Sequence, residues 1–489
     1  MSASKSISMG LYVLAAVIAA MLVRFVLYAP FGHDEIEHAH VAWRLLQGDL
    51  PYADFHQNHA PAVWWVGAAA LTVLPHTANA VLALRCLAFG TFLVSMALGW
   101  RLLRQLAPDV SATIYPLALI GMLCLSYRLE WFRFRPDPFM SLLVTLALVV
   151  ITGGVTHRRA AATGVLLAVA ASFSPKVWPL LGLLPLRLGF DACRVGIRRP
   201  LTQLASYVAG GIIGILPLAG WLLSQGLLPE FLREVLAFNG AYPKPPADAL
   251  RFLARPLLLA ALAGAGLMVW HAWRRLDTNR WPYIALALGI VLGFSAVFFG
   301  VHAAVYNQQA AAIPAALAFA FLGASLAGRH ASGVRLILLS VFLTVCIRRE
   351  VTGIVTLYEP DWTIEQQEMS QFLDVTRATP GGRCVAFAPC DPVFCENPVE
   401  PAILWDLLFL EHPDPAFKAR HQTYWKAAAD EVIRSRPDVV VAVCDGVRPW
   451  DRAAAAGAFD RDTLDRLHAA LANGYDLRTI GQQQIWVAR

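Results

Sequence analysis

Charged side chains are scarce in this sequence. Asp, Glu, Lys and Arg make up 15% of its 489 residues, whereas hydrophobic residues make up 57%. A soluble domain carries about 25% charged residues, and the mean hydropathy here is +0.53. Apolar runs of about 18 residues or more, long enough to cross a bilayer, recur along the chain. The composition excludes an ordinary soluble protein and predicts a polytopic α-helical membrane protein.

Several signature motifs are also missing. The chain has no Gly-x-Gly-x-x-Gly, and no Asp-x-Asp in a suitable place, which argues against an enzyme that binds a nucleotide sugar in a cytosolic Rossmann-like domain. Paired Cys-x-x-Cys spacing is absent too, which disfavours a zinc site. The net charge of +6 arises from arginines that cluster in short loops and form no continuous basic face. Nucleic acid is therefore not an expected partner.

The apolar runs predict about eleven transmembrane helices with a cytoplasmic N-terminus. Short loops on the inner side then carry arginines, among them Arg101, Arg104, Arg158 and Arg159, as the positive-inside rule requires. The first run is expected to remain in the mature protein, because no small-residue cleavage site follows it. The segment 61–75 is too short to span and is expected to lie at the outer surface. The spans are predicted near 9–29, 80–100, 111–127, 138–153, 160–174, 177–189, 202–223, 252–272, 282–300, 309–327 and 334–350.

A change in composition near residue 354 predicts two domains. Residues 1–353 form the membrane-embedded domain, with an outer loop at 30–78, and residues 354–489 form a small C-terminal extracytoplasmic α/β domain. Its helices are expected at 363–377 and 415–434, its buried strands at 384–388 and 438–444, and a closing strand pair at 476–480 and 484–488.

Four of the eight cysteines lie in this tail: Cys384, Cys390, Cys395 and Cys444. In an oxidising compartment such a group indicates one or two disulfides, although four cysteines allow three full pairings. Cys390 and Cys395 follow the first predicted strand and Cys444 ends the second. A bridge from Cys444 to one of these two is the easier geometry, and a zinc site is the competing interpretation.

The outer loop contains the densest polar segment of the chain, at 33–61. Asp34 follows the first span and precedes a helical pattern, so Asp34-x-x-Glu37 reads as a variant capping box, a structural role that does not exclude catalysis. Histidines are frequent in the same segment and leave a divalent metal open as an alternative to plain hydrogen bonding. They are His33, His38, His40, His56 and His59.

A second polar segment, 128–138, stands at the outer start of the fourth span. Asp137 and Pro138 fit a helix start, with the aspartate as cap and the proline in the first turn. A helix start does not explain the arginines, which include Arg133 and Arg135, on the side where the topology disfavours them. Arginine is the natural partner of a phosphate, and Lys176 is a further cation predicted on the outer side. Together they indicate an anionic lipid or substrate.

These residues carry a resemblance to a known superfamily. The pattern consists of a span, then Asp34-Glu35, an amphipathic helix, Gly48-x-x-Pro51-Tyr52-x-Asp54-Phe55 and His59-x-Pro61, and later Arg135-Pro136-Asp137. This pattern resembles that of the GT-C glycosyltransferases, which use polyprenyl-phosphate sugars. The similarity is greatest to the branch of protein O-mannosyltransferases, aminoarabinose transferases and rhizobial lipopolysaccharide-core transferases, and it covers about residues 1–350.

The resemblance implies roles for individual residues. Asp34 is expected to be the principal catalytic residue, and its neighbour Glu35 is expected to belong to the catalytic pair. Arg133, Arg135 and Lys176 are expected to bind the donor phosphate, and Tyr52, Asp54, His59 and Asp137 to position substrate.

The implied reaction moves a sugar from a polyprenyl-phosphate donor to an acceptor hydroxyl on an envelope glycolipid, glycan or protein, with inversion, at the outer face of a bacterial inner membrane. A lipid phosphate is already a good leaving group, so one base and a set of cations suffice. Two alternatives stay open. A transporter or flippase would place charges at mid-membrane in repeated halves, and a membrane-anchored binding protein would work through its tail.

Overall fold

The computed structural model describes most of the chain, and the account below concerns only the residues that it describes. These residues are 3–29, 31–55, 57–106, 113–241, 256–274, 281–295, 309–327, 333–356, 361–375, 383–386, 393–394, 415–443, 460–480 and 483–489.

The chain divides into two compact units, each discontinuous in sequence. The first comprises Met1–Leu27, Cys86–Trp221 and Pro243–Glu359, and the second comprises Tyr28–Arg85, Leu222–Tyr242 and Pro360–Arg489. The predicted outer loop and the predicted tail thus fall in the same unit. The division into domains 1–353 and 354–489 stays a prediction.

The first unit is a set of apolar helices. Every predicted span coincides with helical structure, which confirms the polytopic α-helical class. The helices are α1 (Ala3–Tyr28), α4 (Ala78–Leu106), α5 (Ile114–Arg128), α6 (Pro136–Thr152), α7 (His157–Phe173), α8 (Leu183–Val195), α9 (Arg198–Ser224), α12 (Pro256–Arg274), α13 (Trp281–Ser295), α14 (Ala312–Ala327) and α15 (Gly333–Thr356). The last residue of α1, the first two turns of α4 and the end of α9 belong to the second unit.

Five helical segments of the described chain are long and apolar enough to cross a membrane by length and composition: Ser6–Tyr28, Ala78–Gln105, Arg198–Ser224, Pro256–Arg274 and Gln309–Leu326. Five further apolar helical segments of the described chain have 10–17 residues each: Ala62–Leu71, Ile114–Tyr127, Pro136–Thr152, Trp281–Ser295 and Ile337–Arg348, the last of which lies within α15.

Helix α14 lies at the centre of the first unit, where it packs against α5 and α12. Small residues permit this packing. A β-carbon at Gly264 of α12 would collide with the carbonyl oxygen of Ala318 on α14, so only glycine lets the two backbones approach this closely.

The predicted span 177–189 is not one α-helix. Pro175–Gly182 forms a 3₁₀ helix, and α8 begins only at Leu183. Pro179 lies inside the 3₁₀ stretch, and proline cannot donate the backbone hydrogen bond that a continuous α-helix needs.

The second unit contains the outer segment and the tail. Its outer helices are α2 (His33–Gln47), α3 (Ala62–Leu71), α10 (Leu228–Phe231), a π-helix (Leu232–Ala237) and α11 (Phe238–Ala241). Helix α3 has ten residues, which at about 1.5 Å per residue reach only half of the bilayer core. The tail contributes α16 (Asp361–Val375), β1 (Cys384–Ala386), α17 (Pro415–Ser435), β2 (Val439–Val443), α18 (Arg461–Gly474), β3 (Tyr475–Ile480) and β4 (Gln483–Ala488).

The tail confirms the predicted small α/β fold. The strands form one sheet in the order β1-β2-β4-β3, with β1 and β2 parallel and the other neighbours antiparallel. Trp425 of α17, Leu467 of α18 and Val440 of β2 are buried in one core. Helix α18 was not foreseen. Cys384 is disulfide-bonded, while the predicted disulfide candidates Cys390, Cys395 and Cys444 lie outside the described residues.

Candidate active site

Helix α2 begins at His33, and its N-cap lies two residues earlier than the sequence indicated. Gly32 is the N-cap, and its backbone N–H donates to Oε2 of Glu35 at 3.4 Å. The predicted capping box from Asp34 to Glu37 is therefore wrong: glycine takes the cap, and Glu35 reaches back to it. Asp34 is the second helical residue, where the positive end of the helix dipole favours a carboxylate.

Glu35 is held by an arginine fifty positions along the chain. Arg85 donates from Nε to Glu35 Oε1 at 2.9 Å and from Nη2 to Glu35 Oε2 at 2.6 Å. The third guanidinium nitrogen, Nη1, donates to the carbonyl oxygen of Ala29 at 2.6 Å. Both side chains of the pair are fully buried, and the Phe31 ring lies 4.7 Å from Arg85 Cζ. This bidentate pair fixes the start of α2 against the start of α4.

The two neighbouring carboxylates thus have different surroundings. Glu35 is fully buried, with both oxygens engaged, whereas Asp34 is only partly buried. A group that exchanges a proton with a substrate must be reachable. Asp34 meets that requirement, and Glu35 is placed to hold the helix that carries it.

The predicted histidines engage an aromatic cluster beside the helix. Trp64 of α3 donates from Nε1 to Nδ1 of His38 at 3.0 Å, so His38 carries its proton on Nε2. The rings of His38 and His59 meet edge to face at 4.8 Å. The Tyr52 hydroxyl donates to the His59 carbonyl oxygen at 2.7 Å. Among the predicted positioning residues, Tyr52 and His59 are brought together.

Tyr52 is both buried and strained. Its φ of 73° lies in the left-handed region, which costs a residue with a β-carbon about 1–3 kcal/mol and often marks a functional segment. Burial, followed by the negative charge of Glu234, raises the pKa of the Tyr52 hydroxyl well above its usual value. The tyrosine therefore stays neutral as a hydrogen-bond donor.

The turn after α2 is stabilised by its own side chains. Gly48, with a φ of 102°, ends the helix in the left-handed conformation that glycine adopts without strain. Asp54 accepts the Leu50 backbone N–H at 2.7 Å and is exposed. Arg44 is paired with Asp49. Asp54, which was predicted to position substrate, thus stabilises the turn in the structure.

The segment 228–241 covers this loop and adds a residue that the sequence did not single out. Glu234 lies in the π-helix and is fully buried. The Phe231 ring meets the Tyr52 ring at 5.6 Å, and Asn239 Nδ2 donates to the Asn58 carbonyl oxygen at 2.8 Å. A π-helix often marks a functional position. The signal available in the sequence was an acidic residue within the predicted outer loop 224–250.

The tail contacts the same region. His40 donates from Nδ1 to the Val393 carbonyl oxygen at 2.9 Å. The ring of Phe394 stacks on His76 at 5.3 Å and meets Trp43 edge to face at 6.5 Å. The tail therefore takes part in building the surface around α2, a contact that no sequence pattern indicated.

The predicted phosphate-binding residues lie in the first unit and form two ion-paired groups. Lys176 Nζ donates to Asp137 Oδ1 at 2.8 Å, with the carboxylate almost fully buried. Arg135 Nη1 donates to Glu130 Oε2 at 2.9 Å, and Arg133 Nε lies 3.2 Å from the same oxygen. In the second group both arginines contact one carboxylate, and a guanidinium group is suited to binding a phosphate.

Glu130, like Tyr52, has a strained backbone. Its φ is 54°, so both predicted polar segments contain a left-handed residue other than glycine. Such strain is retained where the surrounding structure fixes it and is common at functional sites.

The histidine-rich outer segment left a metal site open as an alternative. Among the described residues, no three His, Cys, Asp or Glu side chains are grouped so that they could hold a metal ion. The side chain of His33 and all of His56, which the sequence placed in the histidine-rich segment, lie outside the described part.

Comparison with known proteins identifies the fold. No family model and no curated protein sequence matches the chain. The crystal structure of ArnT from Cupriavidus metallidurans bound to undecaprenyl phosphate matches 99% of this chain and 98% of that chain, with 14% identity and a TM-score of 0.57. The apo state of that protein matches 98% of each chain, with 14% identity and a TM-score of 0.56. The chain therefore shares its fold with that protein, a likeness that agrees with the fold expected from the sequence resemblance.

Proposed function

We propose that this protein is a membrane glycosyltransferase that moves a sugar from a polyprenyl-phosphate donor to an acceptor hydroxyl. The acceptor is an envelope glycolipid, glycan or protein at the outer face of the inner membrane. The observation that carries the proposal is the reachable Asp34 at the start of α2, beside the buried Glu35–Arg85 pair. The shared fold with ArnT, whose crystal structure holds undecaprenyl phosphate, supports a lipid-phosphate donor.

In the proposed reaction Asp34 accepts the proton of the acceptor hydroxyl. The acceptor oxygen forms its bond to the anomeric carbon while the bond from that carbon to the phosphate oxygen breaks, which inverts the anomeric centre. The departing polyprenyl phosphate keeps the bonding electron pair. Since the leaving group is already anionic, it needs cations and no general acid.

The cations assigned to the phosphate are Arg133, Arg135 and Lys176. Arg133 and Arg135 both contact Glu130, and a guanidinium can bind a phosphate through two parallel hydrogen bonds. Lys176 has three donor hydrogens, and its contact with Asp137 fixes the direction of the ammonium group. Asp137 therefore acts through Lys176. Likewise Glu35 acts through Asp34, as a positioning residue, because Arg85 occupies both of its oxygens.

The test is release of polyprenyl phosphate. The full chain in proteoliposomes would receive a panel of polyprenyl-phosphate sugars together with extracted envelope glycolipids and glycoproteins, and mass spectrometry would follow both the lipid and the acceptors. The proposal predicts free polyprenyl phosphate together with an acceptor heavier by one sugar residue. A flippase would move the donor across the bilayer with its sugar still attached, and that result would replace the proposal.

A further inference from the structure

A cavity of about 400 Å³ lies in the first unit, where the end of α4, the end of α6 and the start of α7 meet. Its lining has a polar part and an apolar part. The polar part is Arg101, Gln105, Arg158 and Arg159; the apolar part is Leu146, Val149, Val150, Gly153 and Ala162. Among the residues that the structure describes, no carboxylate lines it.

Only part of this positive charge is explained by the fold. Gly154, with a φ of 96°, turns the chain sharply from α6 into α7. Arg159 then folds back and donates from Nη1 to the carbonyl oxygens of Gly153 and Gly154, which close α6. Arg101 and Arg158 are exposed, and neither takes part in an ion pair with any residue that the structure describes. The positive-inside rule accounts for arginines on the predicted inner side of the membrane. It does not explain why these arginines line one cavity.

One further feature favours an anion, and another favours a ligand that carries a hydroxyl group. The first turn of α7 contains Arg158 and Arg159 and no acidic residue, although the positive end of a helix dipole favours negative charge. In addition, Oε1 of Gln105 is buried and accepts no hydrogen bond from the described residues. The cavity thus combines cations for a phosphate with an open acceptor for a hydroxyl group.

We propose that this cavity binds the headgroup of an anionic glycerophospholipid of the phosphatidylglycerol type. The lipid phosphate contacts Arg101 and Arg158, and a headgroup hydroxyl donates to Gln105. An acyl chain follows Leu146, Val149 and Val150, which belong to a helix of the predicted membrane domain. That apolar wall favours a lipid over a free anion, and basic pockets between membrane helices are known binding sites for such headgroups.

Native mass spectrometry of the detergent-purified full chain tests the proposal. The protein would be titrated with dioleoylphosphatidylglycerol, dioleoylphosphatidic acid or dioleoylphosphatidylcholine. The matched variants are R101Q/R158Q and R198Q/R199Q, the second of which removes two exposed arginines of the α9 start that do not line the cavity. The binding free energy that two cations usually contribute near a lipid surface corresponds to about 30-fold in affinity, so R101Q/R158Q should weaken phosphatidylglycerol binding about 30-fold. R198Q/R199Q should weaken it less than about threefold.

Gln105→Leu separates the hydroxyl contact from the charge. It should weaken binding of phosphatidylglycerol and leave that of phosphatidic acid, which lacks the headgroup glycerol, unchanged. Equal binding of phosphatidylglycerol and phosphatidylcholine, or equal losses in the two arginine variants, would overturn the proposal. Displacement of the lipid by millimolar inorganic phosphate would also overturn it and assign the cavity to a free anion.

Discussion

Breaking the Glu35–Arg85 pair should destabilise the protein far more than breaking any exposed pair. Both side chains are fully buried, so removing one leaves the other charge buried without this bidentate partner, and breaking such a pair costs about 3–5 kcal/mol. Glu35→Gln leaves Arg85 without its carboxylate, and Arg85→Gln leaves Glu35 buried without its guanidinium. The free energy of unfolding of each single variant should therefore fall by about 3–5 kcal/mol.

The double variant makes the prediction specific to the pair. With both charges gone, Glu35→Gln/Arg85→Gln should cost much less than the sum of the single losses, because no buried charge remains. The coupling energy of the cycle should be at least about 2 kcal/mol, within the range found for residues in direct contact.

Unfolding in mixed micelles titrated with a denaturing detergent would measure the four proteins. The matched control is the pair Asp462–Arg466 on α18, whose side chains are 80% and 53% exposed; such a helical surface pair usually contributes only about 0.3–0.5 kcal/mol. Single losses below about 1 kcal/mol at Glu35 and Arg85, or losses that simply add, would refute the reasoning.

Three further predictions concern other parts of the chain. Lys176→Met should weaken binding of a polyprenyl-phosphate donor about tenfold. Asp137→Asn should weaken it less, because only the lysine is assigned to the phosphate. If the two variants had equal effects in a donor-binding titration, the pair would have only a structural role. Phe394→Ala should loosen the contact of the tail with α2 and speed hydrogen exchange in α2, whereas unchanged exchange would show that the contact adds no stability. A reporter fused after Arg489 should be active only outside the cytoplasm, and activity only inside would reverse the predicted topology.

The positions of the helices could be predicted from the sequence because a long apolar run indicates that the whole segment lies in the hydrocarbon of a bilayer, where a helix satisfies its backbone. Runs such as 80–100 and 202–223 coincide with α4 and α9. The 3₁₀ start of 177–189 could not be placed in the same way. Hydropathy is insensitive to Pro179, which decides the hydrogen bonding there.

The acidic pair was singled out from the sequence, but the different surroundings of its two members were not predicted. The difference depends on Arg85, which lies fifty positions away from Glu35. An arginine inside a predicted apolar span was the signal, since a charge in such a run needs a partner. Glu234 escaped notice for a similar reason, because its burial results from a π-helix that no sequence period predicts.

The central claim is that Asp34 is the base, and Asp34→Asn tests it most directly. The amide keeps the size of the side chain but accepts no proton at neutral pH, so the full-length variant should insert, fold and bind donor. Its release of polyprenyl phosphate at saturating donor should fall about 10²- to 10⁴-fold. Asp49→Asn, which removes a carboxylate paired with Arg44 in the same loop, should keep most of the activity. Near-normal release by Asp34→Asn would contradict the account.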